Sequence, residues 1–402
     1  MKCYQEKKYI FLNSILRSFD LKSEQDANDE KRNGLNKARI ENEFEELESI
    51  REIEYLMDKF IQSDKDIFYI KYSKIVDNVG GRIYKNMEHY LLDDKYPSVN
   101  KNVINFYGIE KIKRAFPIHQ FNPIVLLFIK KMESYFLKDF EVRQYIYYNG
   151  GDDNQTMHTL KALNEFVDDI RNEVKSKEFK RTIREFNRKL DKNYNGLTDY
   201  IDGLFKIHSR LLVIRVDLSY KKNQFDHALK EDERERMYFQ AKNDRELFFK
   251  KIKKLPLFKN MLGYAWKLQY GLEKGFHYHM IFFYDGSKSC QDSTIAMSIG
   301  EFWNKELTGG IGLYYNYNGD QSSYFYKSIG SINYHDHENI FYLKKWVASY
   351  LTKTDYYTRV IVRDNDRTFG KGQLKKTVSN QGRPRKKKLA DPVDVGLQNL
   401  SN

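Results

Sequence analysis

The sequence predicts an α+β protein in which a mostly helical N-terminal region precedes an antiparallel sheet with flanking helices. Two observations lead to this fold class. Residues 1–160 place apolar side chains at three- and four-residue spacing, the pattern of helices that are apolar along one side. From residue 206 onward, β-branched and aromatic runs alternate with helical segments and include one tight hairpin, which suits helices packed on an antiparallel sheet.

The N-terminal half is dominated by three predicted helices. Segment 42–62 carries the helical pattern among mixed charges, and segment 121–148 repeats it with Pro123 suited to a first turn. The polar run NGGDDNQT (149–156) predicts a loop and a domain boundary. One long charged helix is predicted for residues 160–192.

The second half of the chain carries the strands of the predicted sheet. The loop GLEKG (271–275) is short, so the strands on either side of it form a hairpin. In chain order the predicted elements are strand 210–220, helix 230–253, strands 261–271 and 276–286, helix 293–307, strand 312–318 and a helix beginning at 338. The resulting regions are a helical N-terminal region (1–160), a helical lead-in (161–205), the sheet domain (206–370) and a basic flexible tail (371–402).

Composition restricts the class of partner and compartment. The 402 residues carry a formal net charge of +13, which favours nucleic acid first and an anionic membrane second. Two cysteines, Cys3 and Cys290, are too few for a disulfide framework or a four-thiolate zinc site and fit a reducing compartment. The most apolar window, FNPIVLLFIKK, is too short to span a bilayer, and no signal-peptide pattern is seen. We therefore expect a cytoplasmic protein without a membrane partner.

The stretch GFHYHMIFFYD (275–285) carries two histidines in an otherwise apolar and aromatic strand. His277 and His279 are two residues apart, so they lie on one face of the strand. If the hairpin pairs symmetrically about its loop, Gln269 lies opposite His277 on that same face. Two imidazoles and an amide oxygen would bind a divalent cation and leave positions open for water or a phosphate oxygen. Metal-free sheet-face histidines and a simple cross-strand contact of Gln269 are the alternatives.

The stretch YLTKTDYY (350–357) places a tyrosine and a lysine one helical turn apart. Tyr350 and Lys353 share a face at this spacing. A phenol is a weak nucleophile near neutral pH unless a cation stabilises the phenolate, which Lys353 or a metal would do. Tyr356 and Tyr357 are candidates for a second nucleophile, although a one-tyrosine site is preferred. The alternative for the pair is a core edge with a lysine that extends to solvent.

Other polar residues near these motifs have two interpretations each. His335 and His337 form a second His-x-His pair, but they lie in a charged loop and are predicted to be exposed. Asp217 would face either the metal or Arg215, and pairing with Arg215 is preferred. Glu273, in the hairpin loop, is an alternative metal ligand.

Trp266 and Trp303 are predicted to be core residues. The tail segment GRPRKKK (382–388) is predicted to bind nucleic-acid phosphates, with a minor-groove hook as the alternative. The basic residues of this segment are Arg383, Arg385, Lys386, Lys387 and Lys388.

Seven short segments occur in a fixed order between about residues 205 and 385: RLLVIRVDLSY, WKLQYG, KGFHYHMIFF, IGEFW, YLTK, RTFGKG and GRPR. As an ordered set they resemble the HUH (His–hydrophobic–His) endonucleases. Within these, the set is similar to the inovirus-type replication proteins of filamentous phages and prophages, which carry the YagK/YfjJ C-terminal domain. The resemblance implies an HUH/Rep-like sheet domain with a ferredoxin-like core.

The resemblance also implies roles for the motif residues. His277 and His279 match the HUH pair, and Gln269 stands where the family more often has Glu. Tyr350 and Lys353 match the family's Tyr-x-x-Lys motif as nucleophile and electrostatic partner. The implied cofactor is Mg²⁺ or Mn²⁺, bound less tightly by an amide than by a carboxylate.

The implied activity is that of a metal-dependent DNA endonuclease and strand transferase. Such an enzyme nicks and rejoins single-stranded DNA at an origin, or an origin hairpin, through a 5′-phosphotyrosine intermediate. It starts rolling-circle replication of a phage or prophage in the bacterial cytoplasm, with a host helicase as a further partner. The alternatives are a non-catalytic prophage DNA-binding regulator, and a relaxase or single-strand transposase with the same chemistry.

Overall fold

A computed structural model describes nine stretches of the chain. They are residues 34–76, 83–91, 106–136, 153–221, 231–271, 274–319, 328–356, 358–360 and 366–374. Within these stretches the fold is α+β, with helices on both faces of an antiparallel sheet, as the sequence predicts. None of the described helices is both long enough and apolar enough to cross a lipid bilayer.

The N-terminal region is helical, but it also contains a hairpin that the sequence analysis missed. Its elements are α1 (Gly34–Gln62), β1 (Phe68–Val76), β2 (Ile83–Leu91), α2 (Phe106–Ala115), β3 (His119–Phe121) and α3 (Pro123–Phe136). Strands β1 and β2 pair antiparallel, with Phe68 opposite Leu91. The run FYIKYSKIV (68–76) contains β-branched and aromatic residues that favour a strand, so the signal was present. Helix α1 confirms the helix predicted at 42–62, whereas residues 137–148 of the second predicted helix lie outside the described residues.

The predicted single helix at 160–192 is wrong, because the structure divides it at Ser176. Helix α4 (Asp153–Lys175) ends there and α5 (Lys177–Ile207) begins. Ser176 has extended backbone angles, and its hydroxyl accepts a hydrogen bond from the Phe179 N–H at 3.0 Å. This N-cap satisfies a donor that a new helix leaves unpaired, and it favours the break at this residue. Helix α4 also begins inside the predicted 149–156 loop, of which residues 149–152 lie outside the described part.

The sheet domain has the predicted hairpin at its centre. Its elements are β4 (Arg210–Tyr220), α6 (Glu231–Lys251), β5 (Met261–Gly271), β6 (Gly275–Asp285), α7 (Asp292–Glu301), β7 (Gly312–Asn316) and β8 (Gly330–Asn333). Strands β5 and β6 pair with Gln269 opposite His277 and Gly271 opposite Gly275, which confirms the symmetrical register. Gly275 has a φ of 60°, a left-handed conformation that glycine adopts readily at the end of this loop.

The segment from residue 337 to residue 371 carries Tyr350 and Tyr356 and ends in the edge strand beside β5. It consists of α8 (His337–Tyr342), a π-helical turn (Leu343–Ala348), α9 (Ser349–Lys353), a 3₁₀ turn (Thr354–Tyr356), β9 (Thr358–Val360) and β10 (Phe369–Lys371). The spatial order of the main sheet is β10-β5-β6-β4-β7, and β8 pairs with the first residues of β4. Every described pairing in the sheet is antiparallel.

The two faces of the sheet differ in character because side chains alternate along each strand. The even-numbered residues of β4, β5 and β6 form one apolar core with α6 and α7, and this core contains Trp266 and Trp303, as predicted. The odd-numbered residues at one end of the other face belong to a second apolar core: Leu211, Val213, Ala265, Ile281 and Phe283. Six further odd-numbered positions on this face carry polar side chains next to one another: Arg215, Asp217, Lys267, Gln269, His277 and His279.

The described N-terminal elements share the second core with the sheet domain. The core runs from Ile50 of α1 through α3, α4 and α5 to Tyr350 and Leu351. Strand β3 pairs antiparallel with β9, with His119 opposite Val360. The Tyr356 hydroxyl donates a hydrogen bond to the Glu54 carboxylate. The N-terminal elements are therefore packed against the segment that carries the tyrosines.

We expect His119 in the β3–β9 seam to make the fold sensitive to acid. Burial lowers its pKa from 6.5 to about 4, with Lys267 acting in the same direction and the carbonyls of Tyr270 and Phe116 opposing it. Below pH 6.5 the unfolded chain takes up a proton that the folded chain rejects, so the stability present at neutral pH falls as the pH drops toward 4. Between about pH 7 and about pH 5 the free energy of unfolding of the wild type should fall about 2 kcal/mol more than that of His119→Gln. Urea denaturation at both pH values measures this difference, and equal losses would contradict the assignment.

Candidate active site

The polar half of the odd-numbered face is organised as a row across three strands. His279 of β6 lies directly opposite Asp217 of β4 on one side and opposite Lys267 of β5 on the other. Gln269 and His277 form the neighbouring pair, one step nearer the hairpin loop. The register of the hairpin therefore brings the two histidines and Gln269 together, as the sequence predicts.

His279 is contacted through both of its ring nitrogens. Its Nε2 lies 2.8 Å from Gln269 Oε1 and 3.3 Å from the Tyr350 hydroxyl. Its Nδ1 lies 2.8 Å from Asp217 Oδ2, although off the line of an ideal N–H···O hydrogen bond. Asp217 Oδ2 and Gln269 Oε1 are both hydrogen-bond acceptors, whereas a neutral imidazole carries only one N–H. With that proton on Nδ1, the lone pairs of His279 Nε2 and Gln269 Oε1 face each other. A second proton, or a metal cation bound by both atoms, would satisfy these lone pairs.

His277 is held in one tautomer by the backbone. Its Nδ1 lies 3.0 Å from the carbonyl oxygen of Gly275, which can only accept, so Nδ1 carries the proton. Burial lowers the pKa of His277 to about 3, and the neighbouring His279 and Lys274 act in the same direction. The ring is therefore neutral near neutral pH, and its Nε2 carries the lone pair that a metal would need.

Two imidazole nitrogens and the amide oxygen of Gln269 form a donor set that fits weak binding of a divalent cation. Both histidines have an oxygen acceptor against Nδ1, the arrangement that orients metal-binding imidazoles. Their ring centroids are 5.0 Å apart, a separation at which two imidazoles can bind one ion. Among the described residues, no group of three His, Cys, Asp or Glu side chains forms a metal cluster, and here the third donor is the amide oxygen of Gln269. Two nitrogens and a neutral oxygen predict weak binding of a hard cation.

Tyr350 approaches this cluster from α9. Its ring lies 4.9 Å from the His279 ring in an edge-to-face arrangement, and only 5% of the residue is exposed. The π-helical turn before α9 is closed by the Ser349 N–H, which donates to the Lys344 carbonyl. Such turns add a residue to a helix and recur at functional sites. The structure thus brings Tyr350 against His279, the histidine nearer the middle of β6.

Tyr350 is one member of a closed circuit of side-chain contacts. The guanidinium of Arg215 lies 4.5 Å from the Tyr350 ring centroid and 4.0 Å from that of Tyr317. The Tyr317 hydroxyl donates to Asp217 Oδ2 at 2.9 Å, and Asp217 contacts His279, which returns to Tyr350. Cation–π contacts of this kind contribute up to about 2 kcal/mol when they are shielded from water. The circuit fixes the tyrosine, its neighbouring cation and one histidine relative to each other.

Asp217 pairs with Arg215, as the sequence analysis prefers, and it also contacts His279 and Tyr317. Its carboxylate does approach Arg215, with 3.8 Å between Arg215 Nε and Asp217 Oδ1. Its shorter contacts, however, are those with His279 and Tyr317. Since Asp217 and His279 are directly opposite each other in the register, the contact with the histidine follows from strand pairing.

A buried ion pair lies beside the histidines. Lys267, whose side chain is 1% exposed, donates to the carboxylate of Asp355 in the 3₁₀ turn and lies 3.3 Å from the Thr368 hydroxyl. Burial lowers the pKa of Lys267, and Asp355 opposes this shift. The pair links β5, the turn after the Tyr350 helix and the segment before β10. It therefore holds the tyrosine segment against the strand that carries Gln269.

The other sequence-predicted tyrosines and histidines lie elsewhere or outside the described part. Tyr356 directs its hydroxyl to Glu54 on α1, and its ring packs on Phe186. His335 and His337 are exposed, as expected. Tyr357 lies outside the described residues.

Two groups of predicted binding residues are not described. Helix α9 ends at Lys353, as expected for the Tyr-x-x-Lys motif, but the position of the Lys353 side chain lies outside the described part. Glu273 and the tail 375–402 are likewise outside the described ranges, and this tail contains Arg383, Arg385, Lys386, Lys387 and Lys388. Their roles stay predictions.

Three residues of the site are not predicted by the sequence patterns: Lys267, its partner Asp355, and Tyr317. Lys267 lies two residues before Gln269, so strand alternation alone would have placed it on the polar face. Tyr317 falls within the predicted strand 312–318, but β7 ends at Asn316, so the orientation of Tyr317 depends on the turn that follows. Its backbone N–H donates to the Arg215 carbonyl at 3.3 Å, which brings the two residues together.

The fold and the site define an α+β protein in which a His–hydrophobic–His strand faces a tyrosine on a helix. The family model of the YagK/YfjJ C-terminal domain matches residues 172–372, half of the chain. The chain therefore belongs to the YagK/YfjJ C-terminal domain family. The matched range contains all strands from β4 to β10 together with Tyr350. No curated protein and no solved structure matches the chain.

We expect the Lys267–Asp355 pair to be strongly coupled in folding. Lys267→Met leaves a buried carboxylate without its cation and should lower the free energy of unfolding by roughly 3–5 kcal/mol. The double variant Lys267→Met/Asp355→Asn should lose clearly less than the sum of the single losses, because neither charge is left alone. Urea denaturation of the four proteins measures the coupling. Additive losses would show that the two side chains act independently.

Proposed function

We propose that this protein is a metal-dependent DNA endonuclease and strand transferase with Tyr350 as nucleophile, and that it initiates rolling-circle replication of a filamentous phage or prophage. The observation that carries the proposal is the position of the Tyr350 hydroxyl, which lies 3.3 Å from His279 Nε2. His279 shares its face of the sheet with His277 and Gln269. A nucleophile and a candidate cation site are thus within reach of a single phosphate.

The chemistry is a transesterification at phosphorus. The Tyr350 oxygen attacks the phosphorus atom, a bond forms between them, and the bond from phosphorus to the 3′ oxygen breaks. The phenol loses its proton and the 3′ oxygen gains one, so no water is consumed. The DNA 5′ phosphate remains esterified to Tyr350, and attack by a 3′ hydroxyl on this ester rejoins the strand.

His277, His279 and Gln269 are the residues that would hold Mg²⁺ or Mn²⁺. The ion would polarise the phosphodiester and stabilise the negative charge of the transition state. Asp217 contacts His279 Nδ1, and the Gly275 carbonyl contacts His277 Nδ1. These contacts orient the two rings so that their Nε2 atoms would be the ones to bind the ion.

The proposed substrate is single-stranded DNA or an origin hairpin. The net charge of +13 favours a polyanion, and the basic tail residues would add phosphate contacts. A replication role, a bacterial cytoplasmic location and a host helicase as partner rest on the resemblance to inovirus-type replication proteins. A relaxase or single-strand transposase would share the chemistry, and the DNA sequence that is nicked distinguishes these uses.

A non-catalytic DNA-binding regulator is the second candidate, and one observation favours it. Tyr350, His277 and His279 are each less than a tenth exposed, so the polar cluster also fits a purely structural role. A regulator would bind the same DNA but form no covalent adduct. The two functions therefore differ in the outcome of one gel.

Tyr350→Phe should abolish the covalent protein–DNA adduct while single-strand binding stays nearly unchanged. The variant removes only the attacking oxygen, and the ring contacts with His279 and Arg215 remain available. The measurement is incubation with Mn²⁺ and a single-stranded oligonucleotide library, followed by a denaturing gel. Tyr356→Phe is the matched control, since this buried tyrosine from the same segment bonds Glu54 and should still allow the first nick. Adduct formation by Tyr350→Phe would assign the nucleophile elsewhere.

Replacing His277 and His279 by Ala should lower metal-dependent adduct formation by at least about 100-fold, since even changes beyond the ligands cost about 10- to 100-fold. The matched control is His335→Ala/His337→Ala, which removes an exposed His-x-His pair. Calorimetric titration with Mn²⁺ should show weakened binding only in the first double variant. Undiminished nicking in excess chelator would eliminate the metal role.

A further inference from the structure

The guanidinium of Arg215 contacts the rings of two tyrosines, one of which is the proposed nucleophile. Its central carbon lies 4.0 Å from the Tyr317 ring centroid and 4.5 Å from that of Tyr350. Only 6% of Arg215 is exposed. A planar guanidinium stacks on aromatic faces in a way that a lysine ammonium does not.

The backbone around Arg215 is fixed on both sides. Its N–H donates to Asn318 Oδ1 at 2.9 Å, and its carbonyl accepts from the Tyr317 N–H at 3.3 Å. Asn318 is itself held by the Val213 carbonyl at 3.0 Å. The turn after β7 therefore places Tyr317 on one side of the guanidinium, and helix α9 places Tyr350 against it as well.

A simple ion pair with Asp217 does not account for this arrangement. Arg215 Nε lies 3.8 Å from Asp217 Oδ1, whereas Asp217 has contacts of 2.8 Å with His279 and 2.9 Å with Tyr317. A guanidinium that served mainly as a counter-ion would turn its N–H groups toward the carboxylate as a two-pronged donor. Here the central carbon of the guanidinium instead lies within 4.5 Å of both ring centroids.

We propose that Arg215 is a positioning residue for Tyr350. It holds the phenol ring so that the hydroxyl points at His279, and it provides a fixed positive charge beside the phosphate that Tyr350 accepts. This role rests on the proposed function, and it adds a cation on β4 to the lysine of the Tyr-x-x-Lys motif. Preorganised charge of this kind acts on the transition state rather than on DNA binding.

The test compares two Arg215 variants with the wild type in the full chain. Arg215→Lys keeps the charge but loses the stacking plane, and Arg215→Met loses both. We expect the rate of adduct formation with Mn²⁺ and a single-stranded oligonucleotide to fall roughly tenfold in the first variant and roughly 100-fold in the second. The dissociation constant for the oligonucleotide, measured by fluorescence anisotropy, should change by less than about threefold.

Arg245→Met is the matched control. Arg245 is also an enclosed arginine stacked on an aromatic ring, 4.2 Å from the Trp266 centroid, but Trp266 belongs to the core on the opposite face of the sheet. Its adduct rate should equal that of the wild type. Circular dichroism and urea midpoints establish that each variant is folded, and Arg215→Lys alone decides the outcome if Arg215→Met does not fold.

The outcomes separate this proposal from the one on which it rests. If the wild type forms no adduct, the proposed function is overturned, and the role of Arg215 falls with it. If the wild type reacts and Arg215→Lys reacts equally fast, only the positioning role is overturned. A rate loss matched by an equal loss of DNA affinity, or by an equal loss in Arg245→Met, also overturns it. A slower folded Arg215→Lys with unchanged DNA affinity supports it.

Discussion

The alternation of side chains across one antiparallel sheet is the constraint on which the rest of the molecule depends. One face is apolar along the central strands, and the other is apolar for only half of its length. The remaining half buries two histidines, an arginine and a lysine beside the half-buried Asp217, and buried polar groups are costly unless they are paired. His279 and Asp217 contact each other across the strands, Lys267 and Arg215 contact Asp355 and Tyr350 of the tyrosine segment, and His277 contacts the Gly275 carbonyl of its own strand. These contacts connect the sheet to α9.

This constraint also explains why the N-terminal elements are integrated with the sheet domain. The apolar half of the face that carries the histidines packs against α5. The same core continues from there into α1, α3 and α4. The same elements touch the tyrosine segment through the β3–β9 pairing and the Glu54–Tyr356 bond. The family match begins at residue 172, within α4, so part of the support for Tyr350 comes from outside the matched range.

Local sequence signals were sufficient for the hairpin and for the face that carries the histidines. A five-residue loop and strict alternation are enough to bring Gln269, His277 and His279 together, and the register confirms this. Two features that the sequence does not predict are the Lys267–Asp355 pair and the helix break at Ser176. The first depends on a contact between distant residues, and the second depends on a single N-cap. Lys267 meets Asp355 across 88 positions of sequence, and Ser176 interrupts a helical pattern that otherwise continues. Periodicity over a short window carries no information about such contacts.

The π-helical turn at Leu343–Ala348 has a consequence for how this segment tolerates change in length. A wider turn accommodates one more residue than an α-helix of the same rise, and each residue rotates the following side chains by about 100°. Relaxation of this turn to regular α-helix with the same number of residues would swing the phenol about a quarter of the circumference away from the imidazoles, whereas relaxation with the loss of one residue would keep its direction. The direction of the Tyr350 phenol thus depends on the number of residues that this turn holds rather than on the identity of any one of them.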